Sequence, residues 1–204
     1  MNYVRTVVES DTEAIQAILD LHCSGQQIDL DPTYSKGNFY KKGITRPRFC
    51  SDIDSKAGVM VADVIYLPFK DESLKTIIFD PPFLATSGPS LKIDDDSNKL
   101  NKRFGVYPSE VKLFEFYEKA LAEFHRVVKK GGILIFKCQD KVSSGIQYFS
   151  HCYIHNMAVK VGWYPKDLLI VLAKNRIVAD WQKKNQKHAR KFHCYYFVFQ
   201  KKRA

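Results

Sequence analysis

Thr76-Ile77-Ile78-Phe79-Asp80-Pro81-Pro82-Phe83 is the stretch on which the reading of this chain turns. Four residues of buried-strand character run into an Asp-Pro-Pro-Phe turn, so a carboxylate, a rigid carbonyl and an aromatic face come together where a strand ends. Proline at 82 has a locked φ and no N–H, and it restricts Pro81 to extended backbone. The Pro81 carbonyl therefore points out of the turn with little freedom, beside the Asp80 carboxylate.

Upstream, three more short apolar runs end in the same way. Gln27-Ile28-Asp29-Leu30 is followed by Asp31, Arg48-Phe49-Cys50-Ser51 by Asp52, and Val59-Met60-Val61-Ala62 by Asp63. If these strands are parallel, Asp31, Asp52, Asp63 and Asp80 all lie along the carboxyl edge of one sheet, where open α/β sheets bind ligands. Aspartate is also a common turn residue, so the repetition carries the argument rather than any one position.

The rest of the chain alternates in kind. Ser10 and Glu13 form a capping box for a helix bearing Ala14, Ile15, Ile18, Leu19 and His22, closed by Gly25; a short helix follows near Phe39 and Tyr40. Residues 84–109 are polar, aperiodic and rich in breakers, which suits a mobile substrate loop. Ser109 then caps a long helix with a stripe of Phe114, Tyr117, Leu121, Phe124 and Val128, terminated by Gly131-Gly132. Ile133-Leu134-Ile135-Phe136 is too apolar to have an exposed face and belongs at the centre of the sheet. A helix from about residue 147 to 161 and a strand at 168–172 come next. The basic stretch 174–191 separates that strand from a last one at 194–199, as the tip of a hairpin would. The expected fold is α/β, a Rossmann-like sheet of seven mostly parallel strands with an antiparallel last strand and helices on both faces. One domain over 1–204 accommodates it.

With no basic-then-apolar opening and no apolar run near the ~20 residues of a membrane span, a soluble, cytoplasmic protein is expected. The five cysteines are scattered and lack any C-x-x-C pair, against a disulfide framework or structural zinc. A formal net charge of +10 points to a polyanionic partner. Lys99, Lys102 and Arg103 in the loop, and Lys183, Lys184, Lys187, Arg190 and Lys191 around Trp181, are the candidate phosphate contacts.

Two adjacent acceptors match the two donors of an NH₂ group, and Phe83 offers a surface on which a heterocycle can stack. An exocyclic amine on adenine or cytosine is a poor nucleophile because its lone pair is delocalised into the ring. Holding both hydrogens favours a pyramidal nitrogen that attacks a methyl sulfonium without a covalent intermediate. Methylation at cytosine C5 needs a cysteine nucleophile, and none follows the proline pair. No G-x-G-x-x-G follows the first strand, against a nicotinamide-binding protein. His151 and His155 share a helix face beside Cys152 but have no further ligands at usable spacing, so no metal is expected.

On these residues the chain resembles class I S-adenosylmethionine-dependent methyltransferases, and within them the nucleic-acid amino-methyltransferases with Asp-Pro-Pro-Tyr/Phe/Trp. It is similar in particular to small phage and bacterial DNA methyltransferase-like proteins with a Lys-Cys-Gln-Asp stretch, here Lys137 to Asp140, and a late His-Ala-Arg-Lys stretch, here His188 to Lys191. The likeness covers roughly residues 26–200. It implies S-adenosyl-L-methionine as cofactor, with Asp31, Pro32, Thr33 and Gly37 around its methionine part, Asp52 and Ile53 at the ribose, and Asp63 and Val64 at the adenine. It implies Asp80, Pro81, Pro82 and Phe83 as the catalytic turn. Ser35 stands where many members have the first of two glycines, and its side chain crowds the close backbone approach that glycine permits.

The activity so implied is transfer of a methyl group to an amino group of a DNA base, adenine N6 in preference to cytosine N4. The alternatives are an RNA adenine-N6 methyltransferase and a non-catalytic nucleic-acid-binding module of the same fold. No separate target-recognition domain is expected in these residues, so loops, a homodimer or a partner subunit are expected to choose the target.

Overall fold

The strand that runs into the Asp-Pro-Pro-Phe turn, β5 (Leu74–Phe79), is buried at every position but Lys75. In the computed structural model, which describes residues 3–85, 107–143, 145–173 and 186–202, it lies inside an eight-stranded sheet. The other strands are β1 (Val7–Val8), β2 (Leu30–Asp31), β3 (Phe49–Asp52), β4 (Met60–Val61), β6 (Val128–Cys138), β9 (Trp163–Leu172) and β10 (His193–Lys201). Across the sheet they run β1-β9-β10-β6-β5-β2-β3-β4, and β10 alone is antiparallel to its neighbours. A separate hairpin is made by β7 (Lys141–Ser143) and β8 (Ile146–Tyr148).

The expected α/β sheet is therefore present, with eight strands rather than seven. The added strand is β1, whose Val7 and Val8 pair with Ile170 and Val171. Two residues are too few to show a period, so nothing in the sequence marks them as a strand.

Helix α1 (Asp11–His22) covers one face and helices α2 (Glu110–Val127) and α3 (Ser150–Val161) the other. Successive residues of β6 serve the two faces in turn. Ile133 and Ile135 pack with Ile15, Ile18 and Leu19 of α1, whereas Leu134 and Phe136 pack with Leu121 and Phe124 of α2 and Ile154 of α3. The central position expected for this strand follows from that double burial. Phe79, the residue before Asp80, is fully buried and meets Phe124 and Phe136 edge-on at centroid distances of 4.9 and 5.0 Å. Burying a side chain of this kind contributes about 1.5–3 kcal/mol, so the strand end that carries Asp80 is firmly anchored.

Two helix limits differ from expectation. Gly131-Gly132 does not terminate α2, which ends at Val127; both glycines lie within β6. A Cβ on Gly132 would come within 2.7 Å of the Lys75 carbonyl oxygen, so glycine serves a close strand-to-strand approach at a register shift between β5 and β6. Gln147 lies opposite Val142 in the β7–β8 hairpin, and α3 begins only at Ser150.

Leu172 stands opposite His193, so the basic stretch 174–191 does link two adjacent antiparallel strands. Its residues 174–185, with Lys183 and Lys184, lie outside the described residues, as do residues 86–106 of the expected substrate loop with Lys99, Lys102 and Arg103. Among the described residues no helix is long and apolar enough to cross a membrane.

Candidate active site

Because β2, β3, β4 and β5 are mutually parallel, their carboxyl ends share one edge. Asp31 and Asp52 close β2 and β3, Asp63 follows β4 by two residues, and Asp80 follows β5 directly. The local bonds chain these ends together. The Asp80 N–H donates to Thr33 Oγ1 at 3.1 Å, and Thr33 Oγ1 lies 3.3 Å from Asp31 Oδ1. One hydroxyl thus joins the first and last of the four strand ends. Ser35 N–H donates to Asp52 Oδ2 at 2.8 Å, and Ala62 N–H to the Asp52 carbonyl at 3.1 Å, which brings in the other two.

Lys137, one residue beyond Phe136, stands beside Asp80, one residue beyond its register partner Phe79. Its ammonium lies 3.4 Å from Asp80 Oδ2 and 3.4 Å from Asp11 Oδ1, between the rings of Phe39 and Tyr196. Burial raises the Asp80 carboxyl above its ordinary range, Lys137 opposes the shift, and Asp11 adds to it. Burial works against the Lys137 ammonium, yet the Asp80 and Asp11 carboxylates hold its pKa above the ordinary value. Sequence reasoning missed Lys137 as a site residue although it opens the quoted Lys-Cys-Gln-Asp stretch. A lysine directly after the apolar run Ile133–Phe136 was the available signal.

Asp31 is buried, and Tyr40 O–H and Thr33 N–H donate to its two oxygens at 2.6 and 2.9 Å. Burial nevertheless dominates and lifts its carboxyl to about 7. In the loop that follows, Ser35 has φ +47° and Gly37 +60°. A Cβ on Gly37 would meet the Tyr34 ring at 2.5 Å, and that ring stacks on Tyr40 at 5.6 Å. Glycine at 37 is favoured by the close Tyr34 contact as well as by φ. Ser35 holds a left-handed backbone that a non-glycine residue adopts only at a cost.

Asp52 accepts Ser35 N–H on one oxygen and Asp54 N–H, at 2.9 Å, on the other. Ile53 beside it is 69% exposed. Asp63 Oδ1 accepts Ile65 N–H at 3.1 Å, and Val64 turns its side chain into the core. Pro81 is buried, and Pro82 and Phe83 are half-buried. Of the described basic candidates Lys187 is exposed, while Arg190 and Lys191 are half-buried. Among the described residues His151 and His155 have separate partners. Its Nδ1 lies 2.8 Å from Asp140 Oδ1, whereas His155 Nδ1 meets Asn156 at 3.1 Å.

No protein-family model matches the chain, and no curated protein matches it in sequence. Solved structures match in fold. TrmN of Thermus thermophilus is similar at 16% identity over 93% of this chain and 48% of that chain, with a TM-score of 0.53. A chain from the complex of the Haloferax volcanii Trm112 methyltransferase activator is similar at 13% identity over 95% of both chains, with a TM-score of 0.51. TTHA0409, a candidate DNA modification methylase of Thermus thermophilus complexed with S-adenosyl-L-methionine, is similar at 14% identity over 67% of this chain and 51% of that chain, with a TM-score of 0.41. The chain spans about half the length of TrmN and of TTHA0409. The likeness to the first two, together with the strand order, makes this the Rossmann-like α/β fold of methyltransferases.

Proposed function

We propose that the chain is an S-adenosylmethionine-dependent methyltransferase acting on an exocyclic amino group of a nucleic-acid base, adenine N6 in DNA before cytosine N4. The observation that carries the reading is the corner at Asp80-Pro81-Pro82-Phe83. Its carboxylate is set by Lys137, its backbone by Thr33, and among the described residues no donor meets the Pro81 carbonyl.

The residues along the sheet edge fit the cofactor. Buried Asp31 faces the loop of Pro32, Thr33 and Gly37 and suits a cationic methionine end. Asp52, with one backbone donor on each oxygen, keeps lone pairs for the ribose hydroxyls. Exposed Ile53 offers an apolar surface beside the ribose, and Asp63 is placed at the adenine with Val64 contributing its backbone. When bound, S-adenosylmethionine supplies an electrophilic methyl group on a positively charged sulfur.

Asp80 and the Pro81 carbonyl accept the two amino hydrogens, and Phe83 stacks on the base. The proton shed by the methylated nitrogen passes to Asp80, whose burial-raised pKa equips it to receive one. A base in a duplex reaches this corner only after flipping out of the stack. Lys187, Arg190 and Lys191, with Lys99, Lys102, Arg103, Lys183 and Lys184, are proposed to contact phosphates, in keeping with the net charge of +10. A homodimer or a partner subunit would supply target choice.

Tritium transfer from labelled cofactor to DNA or RNA, followed by nucleoside digestion, tests the reading. Label in N6-methyladenine from DNA supports it in full. Label in N4-methylcytosine, or from RNA, corrects the base or polymer, and absence of label with any nucleic acid rejects the enzyme. Calorimetry that finds no cofactor binding at millimolar concentration would instead favour a non-catalytic module.

A further inference from the structure

The two prolines lock φ at 81 and 82, but they leave open how the whole turn is aimed. In the structure four consecutive carbonyls of the turn are each met by a donor from another element. Tyr117 O–H of α2 donates to the Pro82 carbonyl at 2.6 Å, and Lys141 Nζ of β7 donates to that of Phe83. Tyr107 N–H donates to the Leu84 carbonyl at 3.0 Å, and Ser143 Oγ to that of Ala85 at 3.2 Å. Upstream, the Asp80 N–H is held by Thr33. The Pro81 carbonyl is thus flanked by anchors on both sides.

We propose that Tyr117 and Lys141 are positioning residues that aim the Pro81 carbonyl and the Phe83 ring, an inference that rests on reading this corner as the amine-binding site. Tyr117 fixes the peptide plane after Pro82, and with φ of Pro82 locked only its ψ separates that plane from the one carrying the Pro81 carbonyl. The lever is stiff, because Tyr117 is 2% exposed and its ring stands edge-on to Phe136 at 5.5 Å. Lys141 fixes the plane after Phe83 and so steadies the backbone from which the ring projects.

Lys141 is itself held by Glu110, the first residue of α2, at 2.8 Å; both side chains are nearly buried. Removing two charges from water is costly, and an apolar pair would serve packing equally well or better. An ion pair here is explained if the ammonium is needed for its second bond, to the Phe83 carbonyl.

Three variants test this: Tyr117→Phe, which keeps the ring; Lys141→Met combined with Glu110→Gln, which leaves no buried charge orphaned; and Lys141→Arg. Methyl transfer and hydrogen–deuterium exchange of segment 80–85 are read for each. In Tyr117→Phe and in the double variant, kcat should fall on the order of tenfold to a hundredfold, the size of effect a misplacement near 1 Å produces, with cofactor Kd unchanged. Exchange in segment 80–85 should quicken, and Lys141→Arg should restore both readouts in part. Wild-type kcat and exchange in Tyr117→Phe and the double variant would overturn the proposal, as would a loss explained wholly by cofactor Kd or thermal midpoint. If the unaltered protein transfers no methyl group, the functional reading fails, and the exchange rates alone still decide whether Tyr117 and Lys141 hold the turn.

Discussion

Lys137 Nζ lies 3.4 Å from Asp80 Oδ2, an ammonium at the end of one central strand set against the carboxylate at the end of its parallel neighbour. The register that pairs Phe79 with Phe136 makes this contact, and the side chain of Lys137 is only 12% exposed. A cation so placed keeps Asp80 available as an acceptor despite its partial burial.

Replacement of Lys137 by Met should therefore raise the Asp80 pKa further. The acid limb of the pH–rate profile should move to higher pH, because a carboxylate that has lost its cation ionises later. Stability should fall by about 1–3 kcal/mol, the cost of leaving partly buried acceptors unpaired. Rate profiles and chemical denaturation measure both; an unmoved acid limb would mean that Lys137 does not govern Asp80.

Asp80→Ala should reduce methyl transfer by a factor of about 100 or more, the loss typical when a positioned electrostatic partner is removed. Cofactor affinity measured by calorimetry should change little, since the Asp80 N–H that meets Thr33 belongs to the backbone. Transfer at the wild-type rate would refute the assignment of the corner.

Asp31 makes stability depend on pH in a stated direction. Its folded pKa of about 7 lies above the ordinary carboxylate value, so the folded chain holds a proton that the unfolded chain has released. Stability is greatest below pH ~4 on this account and declines as pH rises to ~7, by up to about 4 kcal/mol. Asp31→Asn should flatten that slope in denaturation experiments at fixed pH values. A cationic ligand favours the ionised carboxylate, so cofactor binding by the wild type should strengthen from pH 6 to 8, and in Asp31→Asn it should not.

Positions 35 and 37 should respond in opposite senses. Ser35→Gly relieves a left-handed φ of +47° and should stabilise the fold by about 0.5–1 kcal/mol without weakening cofactor binding. Gly37→Ala should cost at least about 1–2 kcal/mol and weaken cofactor binding, since its Cβ would strike the Tyr34 ring. Thermal unfolding and calorimetry on the two variants check the pair; equal behaviour would show that backbone geometry does not limit this loop.

The strands with a clear apolar run, β5, β6, β9 and β10, are legible in the sequence because each buries residues on both faces or alternates in period 2. Val7–Val8 and the β7–β8 hairpin are not, being short segments defined only by what they pair with. The end of α2 is misplaced at Gly131-Gly132 because glycine signals both helix termination and close backbone approach. The Lys75 carbonyl that selects the second meaning lies more than fifty residues away in the chain.

By itself the sequence determined the order of the longer strands and helices, the four aspartates at strand ends and the stereochemistry of the proline pair. Those follow from local periodicity and from φ restrictions that act within a few residues. Only the tertiary structure decided that Thr33 joins Asp31 to Asp80, that Lys137 faces Asp80, and that Tyr117 and Lys141 take successive carbonyls of the turn. Each of those contacts joins residues distant in the chain, and strand register and helix packing, rather than any local propensity, bring them within hydrogen-bonding reach.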